Sequence, residues 1–118
     1  MMFSKLYRSA LILVVLGMFV SVPMVNARPS QAGHVHEAVM HAQDALDHGK
    51  QGDAKGLVKE AQRSLYHAER GGHNDPELAA GIIYLKEAIT HGKRGHADIA
   101  KEHVEVALKH LTEADVIK

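Results

Sequence analysis

The chain has no cysteine, no tryptophan, three prolines and only five aromatic residues in 118. Each shortage excludes something. Without cysteine there are no disulfides, no thiolate metal sites, no Cys-x-x-Cys-His haem attachment and no cysteine nucleophile. Four of the five methionines, Met1, Met2, Met18 and Met24, precede residue 28, so Met40 stands alone in the rest and a thioether-rich copper(I) site is not available. Fourteen basic residues balance fourteen acidic ones, which leaves no electrostatic footprint for DNA or RNA. There is no Ser/His/Asp arrangement, no Gly-rich phosphate loop, and no Glu-x-x-His pair of the kind that builds di-iron sites in bundles. These absences point away from an enzyme.

The first segment reads as an address. Lys5 and Arg8 form a positive start, Ala10 to Val22 is almost unbroken apolar sequence, and Val25-Asn26-Ala27 offers small residues for a signal peptidase. The apolar run is short for a membrane span of about 20 residues. Residues 1–27 are therefore expected to be a cleaved signal peptide. Residues 28–118 then form one exported, periplasmic domain with a slight negative charge, monomeric and free of the membrane after cleavage.

Beyond Ala32 the pattern is helical, rich in Ala, Leu, Glu and Lys. Four helices are predicted over His34–His48, Asp53–Arg70, Glu77–His91 and His96–Ala114. Gly49 and Gly92 are expected to be left-handed cap glycines, Asp53 an N-cap, and Pro76 a helix start after the loop Gly71–Asp75. His48-Gly49-Lys50-Gln51-Gly52 recurs 43 residues later as His91-Gly92-Lys93-Arg94-Gly95, with Ala45-Leu46 matching Ala88-Ile89 and His67 matching His110. A helical hairpin is thus used twice, and turns this short force antiparallel neighbours. The fold class is all-α, an up-down-up-down antiparallel four-helix bundle built from two repeated hairpins. Its apolar stripes are alanine-rich, so each helix buries little area and stability should be marginal.

Histidine is what the chain has in excess: ten, all after residue 33. In heptads with apolar a and d positions, the position before a holds His34, His41 and His48; then Asp53, Glu60 and His67; then Glu77, Tyr84 and His91; then His96, His103 and His110. Eleven of these twelve are His, Asp or Glu, the ligand types that suit Cu(II), Ni(II) and Zn(II). Neighbours seven apart on one helix lie about 10 Å apart, too far to share an ion. The second ligand must come from the facing helix. Antiparallel pairing sets His48 by Asp53, His41 by Glu60, His34 by His67, His91 by His96, Tyr84 by His103 and Glu77 by His110. Glu37 and Asp44 stand four residues before His41 and His48 and face them. His36 is off the stripe, a further candidate that solvent could equally claim, and His73 lies in the loop. Taken singly, His48 and His91 could be helix-end histidines favoured by the dipole, and Asp53, Glu60 and Glu77 ordinary surface acids.

The chain resembles the bacterial small metal-binding protein family, exported histidine-rich four-helix proteins that bind copper(II) and other divalent ions. The resemblance rests on His34-Val35-x-Glu37-Ala38-Val39-x-His41-Ala42, His48-Gly49-Lys50-x-Gly52 and Ser64-Leu65-x-His67-Ala68. In the second half it rests on Leu85-Lys86-Glu87-Ala88-Ile89-x-His91-Gly92, Gly95-His96, His103 and Ala107-Leu108-x-His110-Leu111. It implies that His34, His41, His48, His67, His91, His96, His103 and His110 are metal ligands, and that the protein buffers or passes on metal without catalysis. Tyr84 departs from the pattern at a place where the resemblance leads one to expect a histidine, and the chain carries fewer histidines than a heavily studded relative. Copper(II) is the first expectation, since nitrogen and oxygen sites bind it tightest among the divalent first-row ions; Ni(II) and Zn(II) follow. The alternative is a helical partner-binding module whose histidines sense pH.

Overall fold

The computed structural model describes residues 28–117, so the expected signal peptide lies outside the described residues. Four helices follow one another: α1 (Gln31–Lys50), α2 (Ala54–Ala68), α3 (Pro76–Lys93) and α4 (Ala97–Ala114). No strand occurs among the described residues, and no helix there is long and apolar enough to cross a membrane. The helices pack as a four-helix bundle in which α1 lies along α2 and α3 along α4. The two hairpins then meet through α1 with α4 and α2 with α3.

Side-chain caps decide where three of the helices begin. Ser30 Oγ accepts from the Gly33 N–H at 3.0 Å, which starts α1 three residues before the expected His34. Asp53 Oδ1 accepts from the Gly56 N–H at 2.9 Å. Asp75 Oδ1 accepts from the Glu77 N–H at 2.9 Å, with Pro76 in the first turn as expected. Such oxygens satisfy N–H groups that the helix itself cannot. His96 takes the same place before α4 without a side-chain bond.

The cap glycines are not the ones expected. Gly49 and Gly92 lie inside α1 and α3 and are buried; the left-handed residues are Gly52 and Gly95, with φ of 71° and 78°. The Gly52 N–H donates to the Gly49 carbonyl at 3.0 Å and the Asp53 N–H to the His48 carbonyl at 2.9 Å. The repeat does the same: Gly95 N–H to Gly92 at 3.0 Å, His96 N–H to His91 at 3.1 Å. This nested pair is the Schellman closure of a helix. Gly49 and Gly92 are small for another reason. A Cβ on Gly49 would stand 3.0 Å from both Leu57 and Lys101, and one on Gly92 2.5 Å from Cγ2 of Val58. Both residues let neighbouring helices approach at the end of the bundle that holds the two tight turns.

Alanine dominates the core. Ala38, Ala42, Ala45, Ala61, Ala88, Ala100 and Ala107 are fully buried, around Leu57, Leu85, Val104 and Leu111. Val39, Val58, Leu65 and Leu108 are only partly buried and pack against its edge. Ser64, fully buried, donates to the Ala38 carbonyl at 2.6 Å, which satisfies its hydroxyl and ties α2 to α1.

Candidate metal centre

The Schellman turns set the register of the histidine stripe. In each, the residue that donates back to the last helical turn also begins the next helix, so His48 faces Asp53 and His91 faces His96 at the first level of each groove. Going away from the turns, the levels continue with His41 and Glu60, then His34 and His67, in the first hairpin. In the second they continue with Tyr84 and His103, then Glu77 and His110. All six expected cross-groove pairs are neighbours. His48 Nδ1 is 3.0 Å from Asp53 Oδ2, His41 Nδ1 2.9 Å from Glu60 Oε2, and His34 Nδ1 3.0 Å from His67 Nδ1. His110 Nδ1 is 2.6 Å from Glu77 Oε2. The rings of Tyr84 and His103 stack with centroids 6.2 Å apart, and those of His91 and His96 lie 6.4 Å apart. The ascending order on one helix against the descending order on the other makes each hairpin antiparallel.

The stripe lines the outer groove of each hairpin rather than the core. His34, His41, His48, His67, His91, His103 and His110 are half-buried, His96 is exposed, and Glu60 is buried. Diagonal contacts join the levels. His41 stacks on His67 at 5.5 Å and 3° between planes, His91 on His103 at 5.2 Å, and Tyr84 on His110 at 5.7 Å.

Among the described residues, three sets of donors converge closely enough to hold one ion, each with its ligand atoms within 4.8 Å of one another: Glu37, His41 and His67; Glu87, His91 and His103; and His41, Asp44 and Glu60. The first two share one design. A carboxylate and a histidine four residues apart on one helix are completed by a histidine of the facing helix, one level farther from the turn. Their places in the repeat differ by one heptad: Glu37 and His41 sit seven residues earlier in their unit than Glu87 and His91 do in theirs.

Of the residues singled out by sequence, His41, His67, His91, His103 and Glu60 stand in these sets. His34, His48, His96, His110, Asp53 and Glu77 do not. His34, His48 and His110 are instead bonded to a cross-groove partner. His36 is drawn away altogether: its Nδ1 lies 2.9 Å from Oδ2 of the buried Asp115, just past the end of α4. Glu87 was not singled out, yet it stands four residues before His91 as Asp44 stands before His48, at the repeat offset. That parallel was the available signal.

A carboxylate can only accept, so His36, His41, His48 and His110 each carry their proton on Nδ1, which leaves the lone pair on Nε2. The carboxylates respond. The Gly56 N–H, followed by His48, holds Asp53 below its ordinary range despite some desolvation. Burial pushes Glu60 up, but the bond from His41 and the charge of Arg63 outweigh it and its carboxyl ends lower than usual. Burial, then the rings of His41 and His34, pushes His67 down, which favours the neutral imidazole that a metal requires.

Comparison with curated proteins finds no match. Residues 5–114 match the model of the small metal-binding protein family, and the chain belongs to that family.

Proposed function

We propose that the protein binds and buffers divalent metal ions in the periplasm, copper(II) foremost, through the histidine stripe and without catalysis. The observation that carries this reading is the pair of two-nitrogen, one-oxygen sets, Glu37/His41/His67 and Glu87/His91/His103. Three protein donors leave coordination positions to water, whereas a structural zinc site closes all four. An ion held this way can be exchanged, which suits buffering. Imidazole with carboxylate favours Cu(II), with Ni(II) and Zn(II) behind it. Membership of the family supports metal as the cargo, and the family match beginning at residue 5 takes in most of the segment read as a signal peptide.

Isothermal titration of the purified protein with Cu(II) tests this. Binding of at least one ion per chain at micromolar affinity or better is expected, falling below about pH 6 as imidazoles protonate. Less than one ion per chain would defeat the proposal. If substitution of stripe histidines changed affinity for a partner protein while metal content stayed the same, the pH-sensing alternative would take its place.

A further inference from the structure

Glu60 stands in one of the three donor sets, but its contacts describe a different duty. It is 8 % exposed, and both of its oxygens are already engaged. Oε1 accepts from Arg63 Nη1 at 2.9 Å, and Oε2 accepts from His41 Nδ1 at 2.9 Å. Each oxygen keeps a further lone pair, but an ion taking Nδ1 of His41 in the His41/Asp44/Glu60 set would first have to displace the proton held in the bond to Glu60. The same bond fixes the chemistry of His41. A neutral imidazole has one lone pair. With the proton on Nδ1, facing Glu60, that pair sits on Nε2, which lies 3.9 Å from Oε2 of Glu37. One lone pair serves one ion, so the two sets that contain His41 exclude each other, and the proton on Nδ1 leaves that pair on the nitrogen near Glu37. Nδ1 of His67 faces Nδ1 of His34 at 3.0 Å; where His67 is the donor of that pair, its own lone pair lies on Nε2, free for the ion.

The corresponding histidine of the second hairpin lacks this support. Nδ1 of His91 is buried and has no hydrogen-bond partner among the described residues, so no carboxylate fixes its tautomer or aims its ring. A histidine that ligates a metal through one nitrogen and donates to a carboxylate through the other is oriented and made more basic, and loss of such a partner typically costs about 10- to 100-fold in affinity.

We infer that Glu60 is a positioning residue, not a ligand, which aims Nε2 of His41 at an ion shared with Glu37 and His67, so that this set fills before Glu87/His91/His103. The inference rests on the proposed metal-binding function and assigns an order and a division of roles within it. Glu60 acts through His41 alone. The Glu37/His41/His67 set is the preorganised, tighter station, and the second hairpin supplies a weaker one of the same donor type.

The test uses Zn(II), which is diamagnetic, and nitrogen-15 NMR of the imidazole rings in the full protein. In the metal-free protein His41 should show a protonated Nδ1. On titration, the His41 Nε2 and His67 signals should shift to metal-bound values first, with Nδ1 of His41 still protonated, and those of His91 and His103 should follow. Glu60→Gln preserves size but accepts less strongly. It should weaken the first-filling site by about 10- to 100-fold and bring the two sites to similar affinity, with the number of ions unchanged. Metal on His41 Nδ1, prior filling at His91 and His103, or a Glu60→Gln protein that binds as the parent does would each overturn the inference. The first two outcomes are read from the parent protein and do not depend on how the variant folds. If no ring responds to metal at all, the proposed function itself fails, not only this refinement.

Discussion

Replacing Gly92 by alanine should destabilise the protein, although in an ordinary helix interior the same change would help by about 1 kcal/mol through helix propensity. The opposing term is geometric. The new Cβ would stand 2.5 Å from Cγ2 of Val58, against the roughly 3.5–4.0 Å at which carbon atoms rest. Gly92 is buried, and Val58 is β-branched with little rotamer freedom to yield. Overpacking of this kind costs about 1–3 kcal/mol, and a stiff neighbour puts it in the upper half of that range. The net loss is about 1–2 kcal/mol, a drop in melting temperature of roughly 5–15 °C for a domain of this size. A left-handed cap glycine would also resist alanine, so the single variant does not separate the two roles. The double variant does. If the clash with Val58 is the cause, Val58→Ala should relieve it, and a cycle of urea unfolding experiments should give a favourable coupling of about 1–2 kcal/mol. Strain confined to the glycine's own backbone gives none. Additivity within about 0.5 kcal/mol would refute the packing argument.

Two other outcomes follow from the groove. The folded-state pKa of His67 lies below its ordinary 6.5, so the unfolded chain binds its proton more readily; its contribution is complete above pH 6.5 and is lost as pH falls through 6.5 toward the lower folded value. The metal-free melting temperature should therefore decline on acidification from pH 7 toward 5, and less steeply in His67→Gln; identical slopes would contradict this. His103→Ala should remove the weaker Cu(II) binding event and leave the tighter one in a calorimetric titration, while His73→Ala, an exposed loop position, should leave both unchanged.

How much of this could be read from the sequence depended on whether the deciding interaction was local. The stripe, the hairpin repeat and the six cross-groove pairs were legible, because a short turn with a left-handed glycine fixes which residues of the two helices meet first, and the heptad carries that register outward. The roles of Gly49 and Gly92 were not. A glycine near a helix end is compatible with a cap or with a close helix approach, and only the positions of Val58, Leu57 and Lys101 decide. Asp53 and Glu77 were legible as acids facing histidines, but whether an oxygen takes an imidazole N–H or a place in a three-donor set depends on rotamers and on burial. His36 shows the limit most plainly. Its partner, Asp115, is 79 residues away, and no periodicity links the two.

The one-heptad displacement between the two matching sets has a physical consequence. Had both been built at the same level of their hairpins, two divalent ions would sit side by side across a narrow bundle. A shift of seven residues moves one along the axis by about 10 Å, which is already the Debye length near 0.1 M salt. The sets have no residue in common, and the charges that accompany them are local: Glu37 with the first, Glu87 with the second. Ions in the two stations should therefore feel little of each other, and their affinities are free to differ through local support alone. The first hairpin has that support in Glu60 and Arg63. In the second, Tyr84 occupies the middle level and His91 has no acceptor for its inner nitrogen. One repeated scaffold can then present two stations of unequal strength in a chain whose alanine-rich core leaves little room to alter the helices themselves.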